Sequence, residues 1–383
     1  MRSPLYFDYH ATTPVDSRVL SAMEPYWKDQ FGNPSSRAHA YGWQASSAVQ
    51  KARKSVADAI GALSSEVVFT SGATEANNLA IKGTWQAYRG KHMILSMVEH
   101  PSVTECAKAL EGVGVEVSFC PVDGDGLLSL SALKELVKSE TYLVSVVSVQ
   151  SELGTAQPIK EIAQCVKEIN PKTLVHTDAS QALARREIDV ADWGVDLLSL
   201  SAHKAYGPKG IGALYVRKKP KVYIDPLLHG GGQEEGLRSG TLPTSLCVGL
   251  GKAAELAKHD FVDDQKSIKE LSDMILSGLK NITGEFSVFG SLEKRVPGNL
   301  ALGFAGISAE KFVLACNEVA FSTGSACSGE GGKNKNAFDA IGLNDDQRKT
   351  AFRLGFGRMT KASDVECMLQ VFSRAYKELS KET

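Results

Sequence analysis

The 383-residue chain holds three segments in which a reactive side chain sits where a strand ends. In Val67-Val68-Phe69-Thr70-Ser71-Gly72-Ala73-Thr74-Glu75-Ala76, an apolar strand runs through Ser-Gly-Ala-Thr into a helix. Free backbone N–H groups, the positive end of a helix and hydroxyls then surround one point, which is the chemistry of a phosphate site. Standing alone, the segment is explained equally well as a threonine N-cap with glycine in the turn. In Leu174-Val175-His176-Thr177-Asp178-Ala179-Ser180-Gln181, an acid closes an apolar strand. Open parallel sheets bind ligands beyond the carboxyl ends of their strands, where Asp178 could hold a cationic ring nitrogen. Alone, Asp178 reads more readily as a helix N-cap. In Leu198-Ser199-Leu200-Ser201-Ala202-His203-Lys204, followed by Tyr-Gly-Pro-Lys-Gly, a lysine closes a third strand. That placement favours partial desolvation and a nucleophilic amine able to form a Schiff base. Most lysines are plain surface charges, so this segment too is weak by itself.

Taken in order, a phosphate turn, an acid and a lysine are what pyridoxal 5'-phosphate needs: an anchor, a pyridinium partner and a Schiff-base amine. The elements that must position them alternate short β-branched runs with amphipathic stretches, the pattern of an α/β fold with a mainly parallel sheet. Strands are expected at 66–70, 92–96, 116–120, 142–149, 173–177, 197–201 and 212–216. Helices are expected at 45–60, 75–88, 102–110, 131–137 and 159–169. A long helical stretch over 250–279 precedes a strand–helix–strand–helix arrangement. The expected division is a large domain over 13–260, with a smaller α+β domain formed by 1–12 and 261–383.

Composition removes several classes. Lys+Arg total 43 and Asp+Glu 44, a near-balance that gives no electrostatic reason to expect nucleic acid or an anionic membrane as partner. The longest apolar stretch, 142–149, is too short to span a bilayer. The N-terminus has no apolar signal-peptide core. Seven cysteines without regular spacing or a C-x-x-C resemble neither a disulfide framework nor a zinc site, so a cytoplasmic protein without a resident metal is expected.

The chain resembles the NifS/IscS-type cysteine desulfurases, class-V aminotransferase relatives of pyridoxal-phosphate fold type I. The resemblance is carried by Tyr6-Phe7-Asp8-Tyr9-His10-Ala11-Thr12-Thr13-Pro14, Phe31-Gly32-Asn33-Pro34-Ser35-Ser36, Glu99-His100, Arg238-Ser239-Gly240-Thr241, Ser325-Ala326-Cys327 and Arg353-Leu354-Gly355-Phe356-Gly357-Arg358, together with the three segments above. It implies a large domain with a seven-stranded sheet flanked by helices. It implies Lys204 as the Schiff-base lysine and proton shuttle, Asp178 on the pyridine nitrogen, and His100 stacked on the ring and assisting proton transfer. Gln181 would reach the phenolic oxygen. Ala73, Thr74, Ser201 and His203 would hold the phosphate, joined by Thr241 from the partner in a homodimer. Arg353 would clamp the carboxylate of L-cysteine, supported by Asn33. One departure stands out: in Val149-Gln150-Ser151-Glu152-Leu153-Gly154, Ser151 occupies the place of the family's asparagine at the phenolic oxygen.

Cys327 lies in Ser322-Thr323-Gly324-Ser325-Ala326-Cys327-Ser328-Gly329-Glu330-Gly331-Gly332, a stretch almost without core-forming side chains and expected to be a loop. The resemblance implies that its thiolate takes sulfur from the substrate, leaving alanine and a persulfide, and passes it to an acceptor such as an iron–sulfur scaffold. Cys327 is also a candidate transient iron–sulfur ligand. The other six cysteines read as small core hydrophobes. Two other readings use the same residues. One is a selenocysteine lyase or other β-elimination enzyme, which Cys327 on its glycine-rich loop disfavours. The other is a binding or regulatory protein with little turnover, against which intact Lys204, Asp178, His100 and Cys327 argue.

Overall fold

A computed structural model describes residues 4–323 and 337–381. After a short N-terminal strand, β1 (Leu5–Tyr6), seven strands form the main sheet. These are β2 (Val67–Thr70), β3 (His92–Ser96), β4 (Glu116–Cys120), β5 (Thr141–Ser145), β6 (Leu174–Asp178), β7 (Leu197–Ser201) and β8 (Gly212–Val216). Their spatial order is β2-β8-β7-β6-β5-β3-β4. β8 runs antiparallel to both neighbours, and every other pairing is parallel. Apart from the edge strand β4, these strands are buried along their whole length, because helices cover both faces and alternate side chains enter two different cores. Phe69, Ile94 and Val144 pack with helices Ala40–Ile60 and Ile159–Ile169 on one face. Val68, Met93, Leu95 and Leu143 pack with the helix Pro101–Glu111 and residues 73–88 on the other.

A second sheet, in the order β12-β13-β10-β9, joins β9 (Ser287–Val288), β10 (Asn299–Gly303), β12 (Ser322–Thr323) and β13 (Ala351–Gly355), all antiparallel. Helices Phe261–Thr283 and Ala362–Leu379 close its core, in which Phe304, Phe312, Phe321, Phe352 and Phe372 pack largely edge to face. β1 adds to this side, pairing in parallel with β11 (Val319–Ala320) while Phe7 enters the phenylalanine core.

Most strands begin and end close to where the pattern places them, and three departures stand out. The helical stretch over 250–279 is two helices, Thr244–His259 and Phe261–Thr283, broken at Asp260 (φ −89°, ψ 1°). Asp260 pairs there with Arg18 (2.8 Å) and Arg358 (3.6 Å), and apolar spacing that continues across the break hides it. β5 ends at Ser145; the apolar residues that follow, Val146–Val149, form a buried connection rather than further strand. Of the six cysteines read as core hydrophobes, Cys106, Cys120, Cys165, Cys247 and Cys316 are buried, but Cys367 is exposed on the outer face of the last helix. Among the described residues no helix is long and apolar enough to cross a membrane, and no cluster of His, Cys, Asp and Glu could hold a metal ion.

Candidate active site

A cavity of about 1100 Å³ opens beyond the carboxyl ends of the parallel strands. It is lined by Ala73, Thr74, His100, Ser151, Asp178, Gln181, Ser201, His203, Lys204 and Arg353, ten of the residues singled out in the sequence. Asn33 and Thr241 do not line the cavity of their own chain; both are exposed, and Asn33 Oδ1 accepts from Ser35 N (2.9 Å) in a local turn. Cys327 lies outside the described residues.

On one side, β2 ends at Thr70 and a helix begins at Ala73. The Ser71 N–H donates to Glu75 Oε2 (2.7 Å), which closes the turn. The first amides of a helix have no partner within it, so those of Ala73 and Thr74 are available to an anion in the cavity. Opposite them lie Ser201 and His203. Burial, helped by the charges of Lys204 and Lys209, pushes the His203 pKa down to about 4, so the ring is neutral. Its Nδ1 lies 3.1 Å from Thr12 Oγ1, whose single proton also has the His203 carbonyl (3.5 Å) as an acceptor; where Nδ1 takes it, Nε2–H is left as a donor to the cavity.

At the floor, Asp178 is buried and its carboxylate is held by three donors. Oδ2 accepts from Asn77 Nδ2 (2.8 Å), and Oδ1 accepts from Ser180 N (2.9 Å) and Ser180 Oγ (2.5 Å). Asn77 Nδ2 also donates to Ser102 Oγ (2.8 Å), whose hydroxyl lies 2.8 Å from His100 Nδ1. Because Ser102 N donates to the same Nδ1 (3.1 Å), the neutral ring carries its proton on Nε2. The edge of His100 faces the open cavity, yet the surrounding walls desolvate it and lower its pKa; Lys204 lowers it further and Asp178 opposes both. A polar chain therefore runs from Asp178 through Asn77 and Ser102 to His100. Beneath it, His176 is fully buried between Ser145 Oγ (2.8 Å) and Ser199 Oγ (3.0 Å), and burial lowers its pKa.

Lys204 Nζ reaches two carbonyls of the N-terminal segment, His10 O and Ala11 O, each at 2.7 Å. Gln181 Nε2 donates to the same His10 carbonyl (2.8 Å), and Gln181 Oε1 lies 3.1 Å from His10 Nδ1. His10 thus fixes both ends of the Gln181 amide. Burial holds the His10 ring neutral, so its single N–H serves Gln181 Oε1 or Gly298 O (3.2 Å) but not both.

The far wall carries the cation. Arg353 is almost wholly buried, with Nη2 on Asp8 Oδ1 (2.6 Å) and Nη1 on the carbonyl of Ser151 (3.1 Å). Nη2 also donates to Ser322 Oγ (3.3 Å), and Nε is buried with no hydrogen-bond partner among the described residues. Ser151 acts through its carbonyl here, accepting also from Asn299 Nδ2 (3.1 Å), while its hydroxyl makes no hydrogen bond among the described residues. Glu99, next to His100, accepts at Oε1 from Val147 N (2.5 Å), while Oε2 has no partner among the described residues; burial, with Asp178 nearby, raises its pKa well above its ordinary value.

Sequence reasoning missed Asn77, Ser102 and Ser180 as the support of Asp178 and His100. Asn77 carries one usable signal, since it lies four residues after Ala73 and so on the same helix face. Ser102 lies two residues after His100, the N-cap of the helix Pro101–Glu111, and its link to Asn77 is visible only in space.

Residues 5–368 match the family described as aminotransferase class-V. A cysteine desulfurase IscS of Rickettsia rickettsii (strain Iowa) is 45% identical over 365 residues, covering 95% of this chain and 88% of that protein. The solved structure of a NifS-like protein superposes with a TM-score of 0.91 at 35% identity, covering 98% of this chain and 99% of the other. The structure of SspA in complex with cysteine gives a TM-score of 0.81 at 37% identity, covering 92% and 98%.

Proposed function

The chain belongs to the class-V aminotransferase family and is a cysteine desulfurase, and from that premise we propose that its cavity holds pyridoxal 5'-phosphate, with Lys204 as the covalent partner and Cys327 as the sulfur-accepting thiol. The observation that carries this reading is the meeting of the 71–74 turn, Asp178 and Lys204 on one cavity. The donor set fits the cofactor. Amides and hydroxyls at Ala73, Thr74 and Ser201 with the Nε2–H of His203 suit a phosphate, and a carboxylate fixed by three donors suits a protonated ring nitrogen. When bound, the cofactor supplies an electron sink that acidifies the substrate Cα–H and weakens its Cβ–S bond.

The chain's own residues do the rest. Asp178 holds a proton on the ring nitrogen. Gln181, fixed by His10, offers its remaining N–H toward the phenolic oxygen. Arg353, which lines the same cavity as Lys204, would bind the carboxylate of L-cysteine and so hold its Cα within reach of the Lys204 amine. The Lys204 amine takes the Cα proton. Neutral His100, with its proton on Nε2, would lie against the cofactor ring and assist proton movement at the substrate. The Cys327 thiolate attacks the substrate sulfur: an S–S bond forms, the Cβ–S bond breaks, and the released electron pair ends in a C–H bond of alanine. The products are alanine and a persulfide on Cys327, so atoms and electrons balance without an external oxidant.

The working unit is read as a homodimer. Trp27, Phe31, Tyr41 and Trp43 form an exposed aromatic surface near Asn33, and a second copy would bring Asn33 and Thr241 to a cavity that neither lines in its own chain. The acceptor of the sulfur is a thiol-bearing protein, with an iron–sulfur scaffold the reading that the family favours, in the cytosol. Purified protein loaded with pyridoxal phosphate should release alanine and sulfide in equal amounts from L-cysteine and a thiol reductant. Cys327→Ala should keep the cofactor absorbance and form no persulfide. Cofactor binding without alanine release from the unmutated protein would refute the reading.

A further inference from the structure

One buried ion pair has no part in the chemistry above. Arg53, on the helix Ala40–Ile60, forms a two-pronged contact with Glu234: Nη1 to Oε2 at 2.7 Å and Nη2 to Oε1 at 2.6 Å. The side chains are 10% and 1% exposed. Glu234 Oε2 also accepts from Phe69 N (2.7 Å), Arg53 Nη1 donates to Val67 O (2.7 Å), and the guanidinium lies over the Phe69 ring. Glu234 and Glu235 reach these positions with φ of 53° and 55°, a left-handed conformation that side-chain-bearing residues rarely adopt. Two consecutive residues are held there, so the loop is over-determined by its anchors.

The second anchor lies four residues on. Arg238 pairs with Glu75 (2.8 and 3.3 Å), and Glu75 Oε2 also holds Ser71 N. The loop is therefore fixed at Phe69, just before the 71–74 turn, and at Glu75, just after it. Three residues beyond Arg238, Thr241 is exposed and does not line its own chain's cavity. We propose that the Arg53–Glu234 pair is a positioning device that acts across the subunit interface: it sets the loop so that Thr241 meets the phosphate bound in the second copy of the chain. The proposal rests on the homodimeric pyridoxal-phosphate reading above. It has a corollary, because the loop that completes one site is ion-paired to the phosphate turn of the other.

The test uses mixed dimers of two differently tagged chains, with cofactor affinity read by absorbance titration. The Glu234→Gln homodimer should bind pyridoxal phosphate about tenfold more weakly, the scale of one lost hydrogen bond at each site. In a dimer of one Glu234→Gln chain and one Lys204→Ala chain, the single lysine-bearing site is served by the intact loop of the other chain. Its affinity should return to the unmutated value, with about half the unmutated desulfurase activity. An affinity as weak as in the Glu234→Gln homodimer would overturn the proposal, since the defect would then act within its own chain. The double variant Arg53→Met/Glu234→Gln leaves no buried charge unpaired and should show the same rescue, so failure of the single variant to fold would not spare the idea. A Thr241→Ala homodimer with unmutated affinity would instead sink the underlying reading of Thr241.

Discussion

Replacing Arg353 by lysine tests its proposed role as the substrate clamp. Lysine keeps a positive charge opposite Asp8, so no buried carboxylate is left unpaired, but one ammonium cannot replace a planar fork. In the native site Nη2 is committed to Asp8 (2.6 Å) and Ser322 (3.3 Å) and Nη1 to Ser151 O (3.1 Å), while Nε is buried without a partner among the described residues. The ammonium must choose between Asp8, the Ser151 carbonyl and the incoming carboxylate, and loses at least one charge-assisted hydrogen bond to substrate. At about 2–3 kcal/mol, that lowers kcat/KM for L-cysteine on the order of 30- to 150-fold. Steady-state alanine release should place most of the loss in KM, and absorbance titration should find pyridoxal phosphate affinity within about twofold of the unmutated protein. A fall in kcat at unchanged KM, or a loss of cofactor that accounts for the loss of rate, would refute the assignment of Arg353 to the carboxylate.

Two further outcomes follow from the same geometry. Asp178→Asn places an amide against Asn77 Nδ2, Ser180 N and Ser180 Oγ, so an N–H must face another donor and the ring nitrogen loses its counter-charge; kcat should fall on the order of 100-fold or more, with Asp178→Glu recovering part of it. In the cofactor-free protein, His203 has a folded pKa of about 4 against 6.5 in the unfolded chain, so the unfolded state takes up the proton first and stability falls as pH drops from 6.5 toward 4. That amounts to about 2 kcal/mol at about pH 5. Buried His176 and His10 add in the same direction, and the raised Glu99 carboxyl opposes them. Urea midpoints across this range should fall with acid and flatten in His203→Asn; a midpoint that rises with acid would contradict the assignment.

The parts of the fold that could be read from the sequence are those in which a short apolar run has one physical outcome. β3, β4, β7 and β8 begin and end where the pattern puts them, because each is a short β-forming run bounded by turn residues. The break at Asp260 could not be read: helical periodicity continues through it, and the arginines that pair with Asp260 there lie far off in sequence, at positions 18 and 358. The 71–74 turn, Asp178 and Lys204 were legible because each lies where a strand ends, whereas Gln181, Ser151 and Arg353, the last in the middle of β13, could be named only through the family resemblance. The chain Asp178–Asn77–Ser102–His100 was not legible, since it links three elements distant in sequence through uncharged side chains with no motif of their own. Cys367 misled for a simpler reason: a thiol on an amphipathic helix reads as apolar, whichever face it occupies.

The account turns on Lys204 carrying the cofactor. Borohydride reduction of the loaded protein, followed by proteolysis and mass spectrometry, should find the pyridoxyl group on the peptide that contains Lys204 and nowhere else, and Lys204→Ala should take up no label. Label on any other lysine, or an unlabelled Lys204 in protein that still turns over L-cysteine, would contradict it.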